Sequence, residues 1–304
     1  MTAGGVRITE NFSYLSTNST LMENIQIEVA AHGAELRRLV KGGRDYMWNA
    51  DKAFWGRVSP MLFPVVGKPA DEKLRIGGKE YEMHQHGFAR DAEFQQVGDA
   101  WVYRQETPRP DYPYCFEITA RYPVTENSVT CSWTVKNIGP ETMHFQIGAH
   151  PAFLMPDFHP EDPVHGYLQC FNHAGEPIKP VAYCYLEGGL RIKTAPQEVP
   201  TEDGLLVLRD NTFDADAFIL EESAVASVAL LDKDRKEVLR VECPQAQAYG
   251  LWGPKKSGCP FVCIEPWCGI ADRKGFKGDI SQRDCDHALE PGESYEFSFR
   301  IILR

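Results

Sequence analysis

The sequence predicts an all-β protein built as a single, large and mostly antiparallel domain, and three observations support this class. Apolar and polar residues alternate with a period of two in several segments. Turn signals separate these segments, and no segment repeats apolar residues with helical spacing over the length of an ordinary helix. The 21 prolines are spread along the chain, which disfavours long helices. Strands of this kind would form stacked sheets around a shared core.

Alternation is clearest in three segments, which are 116–122, 128–136 and 295–301. Such alternation is typical of a strand with one buried face and one polar face. Between shorter segments, Gly77-Gly78 predicts a two-residue hairpin turn, and Asp232–Lys236 predicts a second connection between two strands. We therefore expect consecutive antiparallel pairs rather than parallel strands joined by helices.

The composition excludes several classes of partner. The 304 residues are 43% hydrophobic and 25% charged, which is enough apolar material for a substantial core. There are 32 Lys and Arg against 43 Asp and Glu, a net charge of −11, and a nucleic acid or an anionic membrane would need a basic face. We expect neither partner. We expect residues 1–20 to be a polar lead-in without a secretory signal, residues 21–304 to be the domain, and the location to be the cytoplasm.

The nine cysteines indicate a reducing compartment, because their number is odd and no C-x-x-C pair occurs. Most are expected to be small buried residues. Cys259, Cys263 and Cys268 lie close together in the sequence, but their spacing fits no common structural zinc site. We therefore expect no bound metal here.

Two segments in the first third of the chain combine reactive groups with apolar surroundings. Arg57 lies in a proline-pinned stretch, where its guanidinium could bind hydroxyl pairs or carboxylates, or could form a structural salt bridge. His84 and His86 are two residues apart. If the strand that begins at Lys79 continues, both face one side, where they could chelate a metal or hydrogen-bond a sugar.

Two later segments are also candidates. The segment 143–150 carries His144, Gln146 and His150 on the face opposite its apolar residues, and this polar face could line a cleft. Glu265 ends a strongly apolar strand, where an unpaired carboxylate is costly to bury. It is therefore either paired, as a structural glutamate would be, or has a raised pKa, which suits a general base near neutral pH.

Four motifs, in this order, resemble the aldose 1-epimerase, or galactose mutarotase, family. They are WGRVSPMLFPVVG at 55–67, HGFARDAEF at 86–94, GAHPAF at 148–153 and FVCIEPWCGIAD at 261–272. The resemblance runs from about Leu21 to the C-terminus and is nearest to a shorter bacterial branch associated with lactose operons. It implies a large antiparallel β-supersandwich with a sugar cleft on one concave sheet.

The resemblance also implies site residues and a reaction. Glu265 matches the family's general base and His150 its general acid. The residues implied or proposed to contact the sugar are His86, Arg57, Asp216 (with Asp214 as the alternative), Trp252 and Trp267. Glu265 would take the proton of the C1 hydroxyl of a hexopyranose, and His150, as imidazolium, would protonate the ring oxygen from the opposite side of the ring. Opening and reclosure would interconvert the α and β anomers without a metal or a cofactor.

Other functions remain open at this stage. One is a metal-dependent, cupin-like enzyme with His84, His86, His150 and a carboxylate as ligands; others are a non-catalytic carbohydrate-binding protein and, less favoured, a glycosidase. A hexose-6-phosphate mutarotase would need cations near the cleft, and the candidates are Lys68, Lys255 and Lys256. Arg90 is expected to be neutralised by the adjacent Asp91. The sequence does not identify the sugar or the oligomeric state.

Overall fold

The computed structural model describes residues 24–182, 185–192, 197–221 and 224–304, and these ranges are nearly all β. The strands, numbered in chain order, are β1 Gln26–Val29, β2 Leu36–Lys41, β3 Arg44–Asp45, β4 Met61–Leu62, β5 Lys73–Ile76, β6 Lys79–Glu82, β7 Gln95–Val97, β8 Ala100–Gln105, β9 Phe116–Arg121, β10 Ser128–Asn137, β11 Met143–Phe145, β12 Ile147–Ala149, β13 Ala152–Leu154, β14 Gly166–Phe171, β15 Pro177–Ile178, β16 Val181–Ala182, β17 Tyr185–Glu187, β18 Leu190–Ile192, β19 Gln197–Glu198, β20 Thr201–Glu202, β21 Leu205–Leu208, β22 Phe218–Glu221, β23 Ser227–Leu231, β24 Glu237–Glu242, β25 Ala248–Trp252, β26 Phe261–Cys268, β27 His287–Leu289 and β28 Ser294–Leu303. Short 3₁₀ helices span Ala70–Glu72, Ala89–Asp91 and Ile280–Gln282.

The predicted all-β class is confirmed. Within the described ranges, no helix is long and apolar enough to cross a membrane. The lead-in expected at residues 1–20 lies outside these ranges.

Two antiparallel sheets contain most of the strands. The larger has eleven strands in the order β20-β21-β14-β23-β24-β28-β10-β9-β8-β7, with β15 beside β14. The smaller has six in the order β22-β25-β26-β12-β4, with β13 beside β26. Around them lie the three-stranded sheet β1-β2-β3 and the pairs β5-β6, β11-β27, β16-β19 and β17-β18. This is the large antiparallel β-sandwich that the sequence predicts.

The core lies between the two sheets, where the predicted alternation buries one face of each long strand. In the central pair of the larger sheet, Trp133 of β10 lies opposite Phe297 of β28, and both are buried. Aromatic cross-strand pairs of this kind stabilise a sheet beyond the area they bury. Ile264 of β26 belongs to the same buried cluster, so the smaller sheet closes this core from the other side.

Strand β26 positions the candidate site because its two faces have different neighbours. All its residues are buried, but Val262 and Ile264 pack into the core shared with the larger sheet. Cys263, Glu265 and Trp267 alternate with them and therefore project from the opposite face. Glu265 and Trp267 are thereby presented to a cavity rather than to the core.

Strands β12 and β13 lie along the same edge of β26 and share one register. Ile147 of β12 lies opposite Cys268, and Ala152 of β13 lies opposite Cys263. Continued across the short break between the two strands, this register places position 150 opposite position 265. His150 is therefore brought beside Glu265 by strand pairing.

The predicted hairpin at Gly77-Gly78 is confirmed as the β5-β6 turn. The predicted continuation of its second strand is wrong, because β6 ends at Glu82 and the chain then turns, with the Gly87 N–H donating to the His84 carbonyl at 3.0 Å. His84 is exposed, and its Nδ1 lies 3.6 Å from Glu72. His86 is buried and has a left-handed backbone with φ of 66°. The two histidines therefore do not share a strand face.

Candidate active site

A cavity of about 480 Å³ opens on the face of β26 that carries Glu265. It brings together six of the seven side chains predicted to act on a sugar, which are His86, His150, Asp216, Trp252, Glu265 and Trp267. A cavity of this volume, lined by aromatic rings and a few convergent polar groups, is typical of a small-molecule binding site.

His150 and Glu265 form a close pair on the cavity wall. His150 Nε2 and Glu265 Oε2 are 3.2 Å apart, and the two side chains are only 10% and 2% exposed. Glu265 Oε2 and His150 Nδ1 make no hydrogen bond within the described part of the chain. The expectation that the acid and the base lie on opposite sides of the sugar is wrong, because strand register places them side by side.

Burial favours the uncharged form of both groups. It raises the pKa of Glu265 well above its ordinary value, an effect that the Trp267 side chain partly opposes and Asp216 reinforces. Burial also lowers the pKa of His150 to about 3, with further lowering by the charges of Arg90 and Arg57. Burial of the pair therefore opposes its ion-paired form, whereas the resemblance implies an imidazolium at His150.

His86 presents an N–H to the cavity. Its Nδ1 accepts a hydrogen bond from the Gly67 N–H at 3.1 Å, so the neutral ring carries its proton on Nε2. Burial and the neighbouring His150, Arg90 and Arg57 lower the pKa of His86 well below its ordinary value, which keeps the ring neutral. The Gln85 side-chain amide lies 3.2 Å from Nε2, and its oxygen can accept this proton once the amide is turned. The Nε2–H of His86 can therefore donate to Gln85 or to an oxygen in the cavity.

Trp267 lies across two glycines on the strands that flank β26. A Cβ at Gly148 would lie 2.8 Å from its Cδ1, and a Cβ at Gly250 would lie 2.7 Å from its Cζ2. Only glycine permits so close an approach by the indole. The Nε1 atom of Trp267 is buried and has no hydrogen-bond partner in the described ranges. The ring forms a flat apolar surface with one free donor, and Trp252 lines the same cavity.

Arg90 lines the cavity, whereas Arg57, the arginine expected to contact the sugar, does not. Arg57 does not line the cavity, because its guanidinium donates to Asp91 at 2.9 Å. Arg90 lines it instead, and its Nε lies 3.8 Å from Asp91 Oδ2, so Asp91 forms the expected ion pair with Arg90 as well as the closer one with Arg57. Arg90 donates to the Gln85 carbonyl at 2.6 Å, while its buried Nε has no hydrogen-bond partner in the described chain. A contact of Arg57 with sugar stays a prediction.

Of the two candidate aspartates, Asp216 lines the cavity and Asp214 does not. Asp216 follows a turn and has φ of 86°. The Asp214 carbonyl instead accepts a hydrogen bond from Lys255 Nζ at 3.1 Å. Of the two candidate aspartates, Asp216 is therefore the one placed to contact a ligand in the cavity.

The three lysines considered as a phosphate clamp do not line the cavity. Lys255 is held by the Asp214 carbonyl, and Lys256 donates to the Ala53 carbonyl at 2.7 Å. Lys68 Nζ lies 3.5 Å from a Glu72 carboxylate oxygen. These three lysines therefore do not form a phosphate-binding site at the cavity.

The polar face predicted for 143–150 does not line the cavity as a whole. Gln146 separates β11 from β12, and its amide accepts from the Val66 N–H at 3.0 Å and donates to the Asp284 carbonyl at 2.7 Å. His144 Nδ1 lies 2.6 Å from Asp286 Oδ2. Only His150 of the three lines the cavity, because the break at Gln146 ends the shared face.

The side chains of His150, Cys263 and Glu265 lie as close together as the ligands of a metal ion would. The ligand atoms of His150, Cys263 and Glu265 lie within 4.8 Å of one another. Cys263, however, packs in an apolar cluster and does not line the cavity, and burial raises the pKa of its thiol well above the ordinary value. A protonated thiol is a poor metal ligand. His84, required by the cupin-like alternative, is exposed outside the cavity.

Sequence reasoning missed several residues of the cavity wall. The hairpin β17-β18 contributes Leu186, Gly188 and Gly189, although its double glycine is the same turn signal that predicts β5-β6. Arg191 of β18 holds this hairpin to the cavity, since it donates to the Ala271 carbonyl at 2.7 Å and contacts two carboxylates. Trp55 also lines the cavity.

The fold is shared with galactose mutarotase-like proteins of known structure. A galactose mutarotase related enzyme from Lactobacillus acidophilus superposes with a TM-score of 0.84 at 29% identity, covering 97% of each chain. A galactose mutarotase-like protein from Lactobacillus casei has a TM-score of 0.84 at 25% identity, covering 97% of this chain and all of that one.

Sequence comparison identifies the family. The aldose 1-epimerase family profile matches residues 19–301, so the chain belongs to this family. It is also similar to the chromosomal protein LacX of Lactococcus lactis subsp. lactis, with 27% identity over 281 residues, covering 82% of this chain and 86% of that protein. The recognition made from the four motifs is thereby confirmed.

Proposed function

We propose that this protein is an aldose 1-epimerase that interconverts the α and β anomers of an unphosphorylated hexopyranose. The observation that carries the proposal is the buried His150–Glu265 pair, 3.2 Å apart on a cavity wall. Family membership supports an isomerase of sugars, and the uncommitted polar atoms of the pair support a role toward a ligand.

The His150–Glu265 pair carries one titratable proton in each of its two forms, on His150 in one form and on Glu265 in the other. With a closed sugar bound, Glu265 as carboxylate takes the proton of the C1 hydroxyl, while His150 as imidazolium gives its proton to the ring oxygen. The C1–O5 bond breaks, and the aldehyde is left beside a neutral pair. Rotation about C1–C2 and the reverse transfers close the ring as the other anomer. Both oxygens are bonded to C1, so a pair that lies on one side can reach both.

The uncharged state favoured by burial is the state that this mechanism needs for the open-chain aldehyde. The closed-sugar complex needs the proton to move from Glu265 to His150. Both pKa shifts oppose the ion-paired form, so contacts with the bound sugar must stabilise that form.

The remaining wall residues would position the sugar. His86 offers its Nε2–H, Arg90 its guanidinium, and Asp216 a carboxylate for hydroxyl groups. Trp267, which packs over Gly148 and Gly250, offers a flat surface to the apolar face of a pyranose. We also propose that residues 21–304 form one domain and that the protein acts in the cytoplasm, where the free thiols of its eight described cysteines would persist.

The test is polarimetry on freshly dissolved α-glucose and α-galactose with and without the protein. We expect the approach to anomeric equilibrium to be accelerated in proportion to protein concentration. Binding of the sugar without acceleration would instead identify a non-catalytic carbohydrate-binding protein.

A phosphorylated hexose is a second candidate substrate because of Arg90. Burial lowers the pKa of this guanidinium to about 10, and its Nε faces no carboxylate closer than 3.8 Å. A buried cation with a free donor suits an anionic oxygen as well as a hydroxyl. Competition between glucose or galactose and the matching 6-phosphates decides this, with Arg90→Gln as the variant. A tenfold preference for the phosphate ester that is lost in Arg90→Gln would favour this second candidate.

A further inference from the structure

The indole of Trp55 covers one face of the His150 ring. The two ring centroids are 4.7 Å apart and the planes are 27° from parallel, so the rings are stacked. Trp252 meets the same imidazole edge-on at 5.6 Å. His150 is thus enclosed by two tryptophans on the sides that do not face Glu265 or His86.

Trp55 is itself held in place by other groups. Its carbonyl accepts from the Trp48 indole N–H at 2.8 Å, its N–H donates to the Asp51 carbonyl at 3.0 Å, and its ring stacks at 6.1 Å on Phe261. The two hydrogen bonds hold the Trp55 backbone, and the ring contacts with Phe261 and, at 5.7 Å, with Trp252 limit rotation of the indole. The stacking is therefore a built feature of the site.

The proposed reaction places a positive charge on this ring. The imidazolium of His150 is opposed by burial and by the charges of Arg90 and Arg57, while Glu265 is the one carboxylate within 4.0 Å among the described residues. The face of an indole carries negative electrostatic potential and attracts a cation stacked on it. Trp55 supplies such a face directly on the ring that must become charged.

We propose that Trp55 is a positioning residue that stabilises the imidazolium form of His150 in the complex with a closed sugar, and that it acts through His150 rather than by binding the sugar. This inference rests on the proposed function, since it requires His150 to be protonated during turnover.

A double-mutant cycle between Trp55 and His150 tests this. We expect Trp55→Leu to lower kcat about 30-fold in the wild-type background, the size of a desolvated cation–π interaction. Trp55→Phe, which keeps a smaller aromatic face, should lose about 3-fold on the same basis. In the His150→Asn background, where no cation forms, Trp55→Leu should cost less than about 2-fold.

The matched control is Phe54→Leu, the neighbouring aromatic residue, which packs edge-on against Trp48 at 5.9 Å and makes no ring contact with His150. It should retain wild-type kcat. An equal loss from Trp55→Leu in both backgrounds would overturn the inference and show that Trp55 acts on the sugar or on the fold. If Trp55→Leu does not fold, the same cycle with Trp55→Phe gives the comparison.

The two levels of the proposal fail in different ways. If the wild-type protein accelerates anomerisation but the cycle shows no coupling, the proposed function stands and the role of Trp55 is wrong. If the wild-type protein accelerates no sugar, the proposed function fails, and the inference about Trp55 fails with it.

Discussion

Two histidines of the segment 143–150 each lie beside a carboxylate. The two pairs differ in hydrogen bonding and in their position relative to the cavity. His144 Nδ1 lies 2.6 Å from Asp286 Oδ2 and forms a hydrogen bond, outside the cavity wall. His150 and Glu265 approach to 3.2 Å without a hydrogen bond between them, and both line the cavity.

The difference shows what makes such a pair a candidate for chemistry. In the first pair the two groups hydrogen-bond to each other and join β11 to the segment before β27, although Asp286 Oδ1 has no further partner among the described residues. In the second pair the two groups make no hydrogen bond to each other, both line the cavity, and burial shifts both pKa values toward the uncharged forms. A position on the cavity wall, rather than proximity of histidine and carboxylate, distinguishes the two.

The largest expected effect comes from Glu265→Gln. The amide keeps the size of the side chain but cannot accept the proton of the C1 hydroxyl, so kcat should fall by about 10²–10⁴-fold. Anomerisation rates measured by polarimetry, together with circular dichroism to confirm folding, check this. The matched variant Asp286→Asn, in the other pair, should keep activity within about 3-fold. Near wild-type turnover by Glu265→Gln would remove Glu265 from the mechanism.

His150→Asn should lower kcat by about 10²-fold or more, because a general acid acts mainly in the transition state. His144→Asn makes the same chemical change in the paired histidine and should leave kcat near the wild-type value. Activity of the wild-type protein should persist in EDTA. Loss of activity in EDTA that is restored by a divalent ion would contradict the assignment of His150 as the acid.

The pH dependence of stability should distinguish the structural pair. Burial raises the pKa of Asp286 from 3.8 to about 6, so the folded state binds this proton more tightly than the unfolded state. The stabilisation is fully present below about pH 4 and is lost as the pH rises to about 6, by up to about 3 kcal/mol in the free energy of unfolding. Asp286→Asn should reduce the decline between pH 4 and pH 6 by this contribution, as urea unfolding of the wild-type protein and the variant would show, while the raised pKa of Glu265 contributes equally in both. A decline of the same size in both proteins would contradict the pKa direction for Asp286.

A smaller effect is expected from Gly250→Ala. The new Cβ would lie 2.7 Å from the Trp267 ring and 3.3 Å from Glu265 Cβ, so the indole must move. Overpacking of this kind should cost about 1–3 kcal/mol of stability and raise KM several-fold. Gly56→Ala is the control, since its Cβ would meet only Lys52 Cγ, at an ordinary 3.5 Å. Thermal melts and sugar titrations of both variants provide the measurement.

The strands that the sequence predicts well are those whose pattern is local. In β10 and β28 every second residue is apolar, and the structure pairs these two strands over their whole alternating length. The sequence indicates Glu265 as a carboxylate at the end of an apolar strand, although β26 continues beyond it to Cys268, and it indicates His150 as the last polar residue of its segment. Their separation of 3.2 Å was not predictable, since it depends on the register of β12 and β13 against β26.

The errors arise where the backbone turns or where partners are chosen in three dimensions. A turn after Glu82 separates His84 from His86, and the break at Gln146 separates His144 from His150. Asp91 forms an ion pair with its neighbour Arg90 at 3.8 Å, but its closer ion pair, at 2.9 Å, is with Arg57, which is far away in sequence. No local pattern records such a choice.

The most direct measurement of the central claim is NMR exchange between the α and β anomers of glucose or galactose at equilibrium. Both anomers are present, so only catalysis of their interconversion produces exchange cross-peaks above the spontaneous rate. The account predicts strong exchange with the wild-type protein and with Asp286→Asn, and exchange near the protein-free rate with Glu265→Gln and His150→Asn. Equal exchange with all four proteins would contradict the assignment of His150 and Glu265 as the reacting pair.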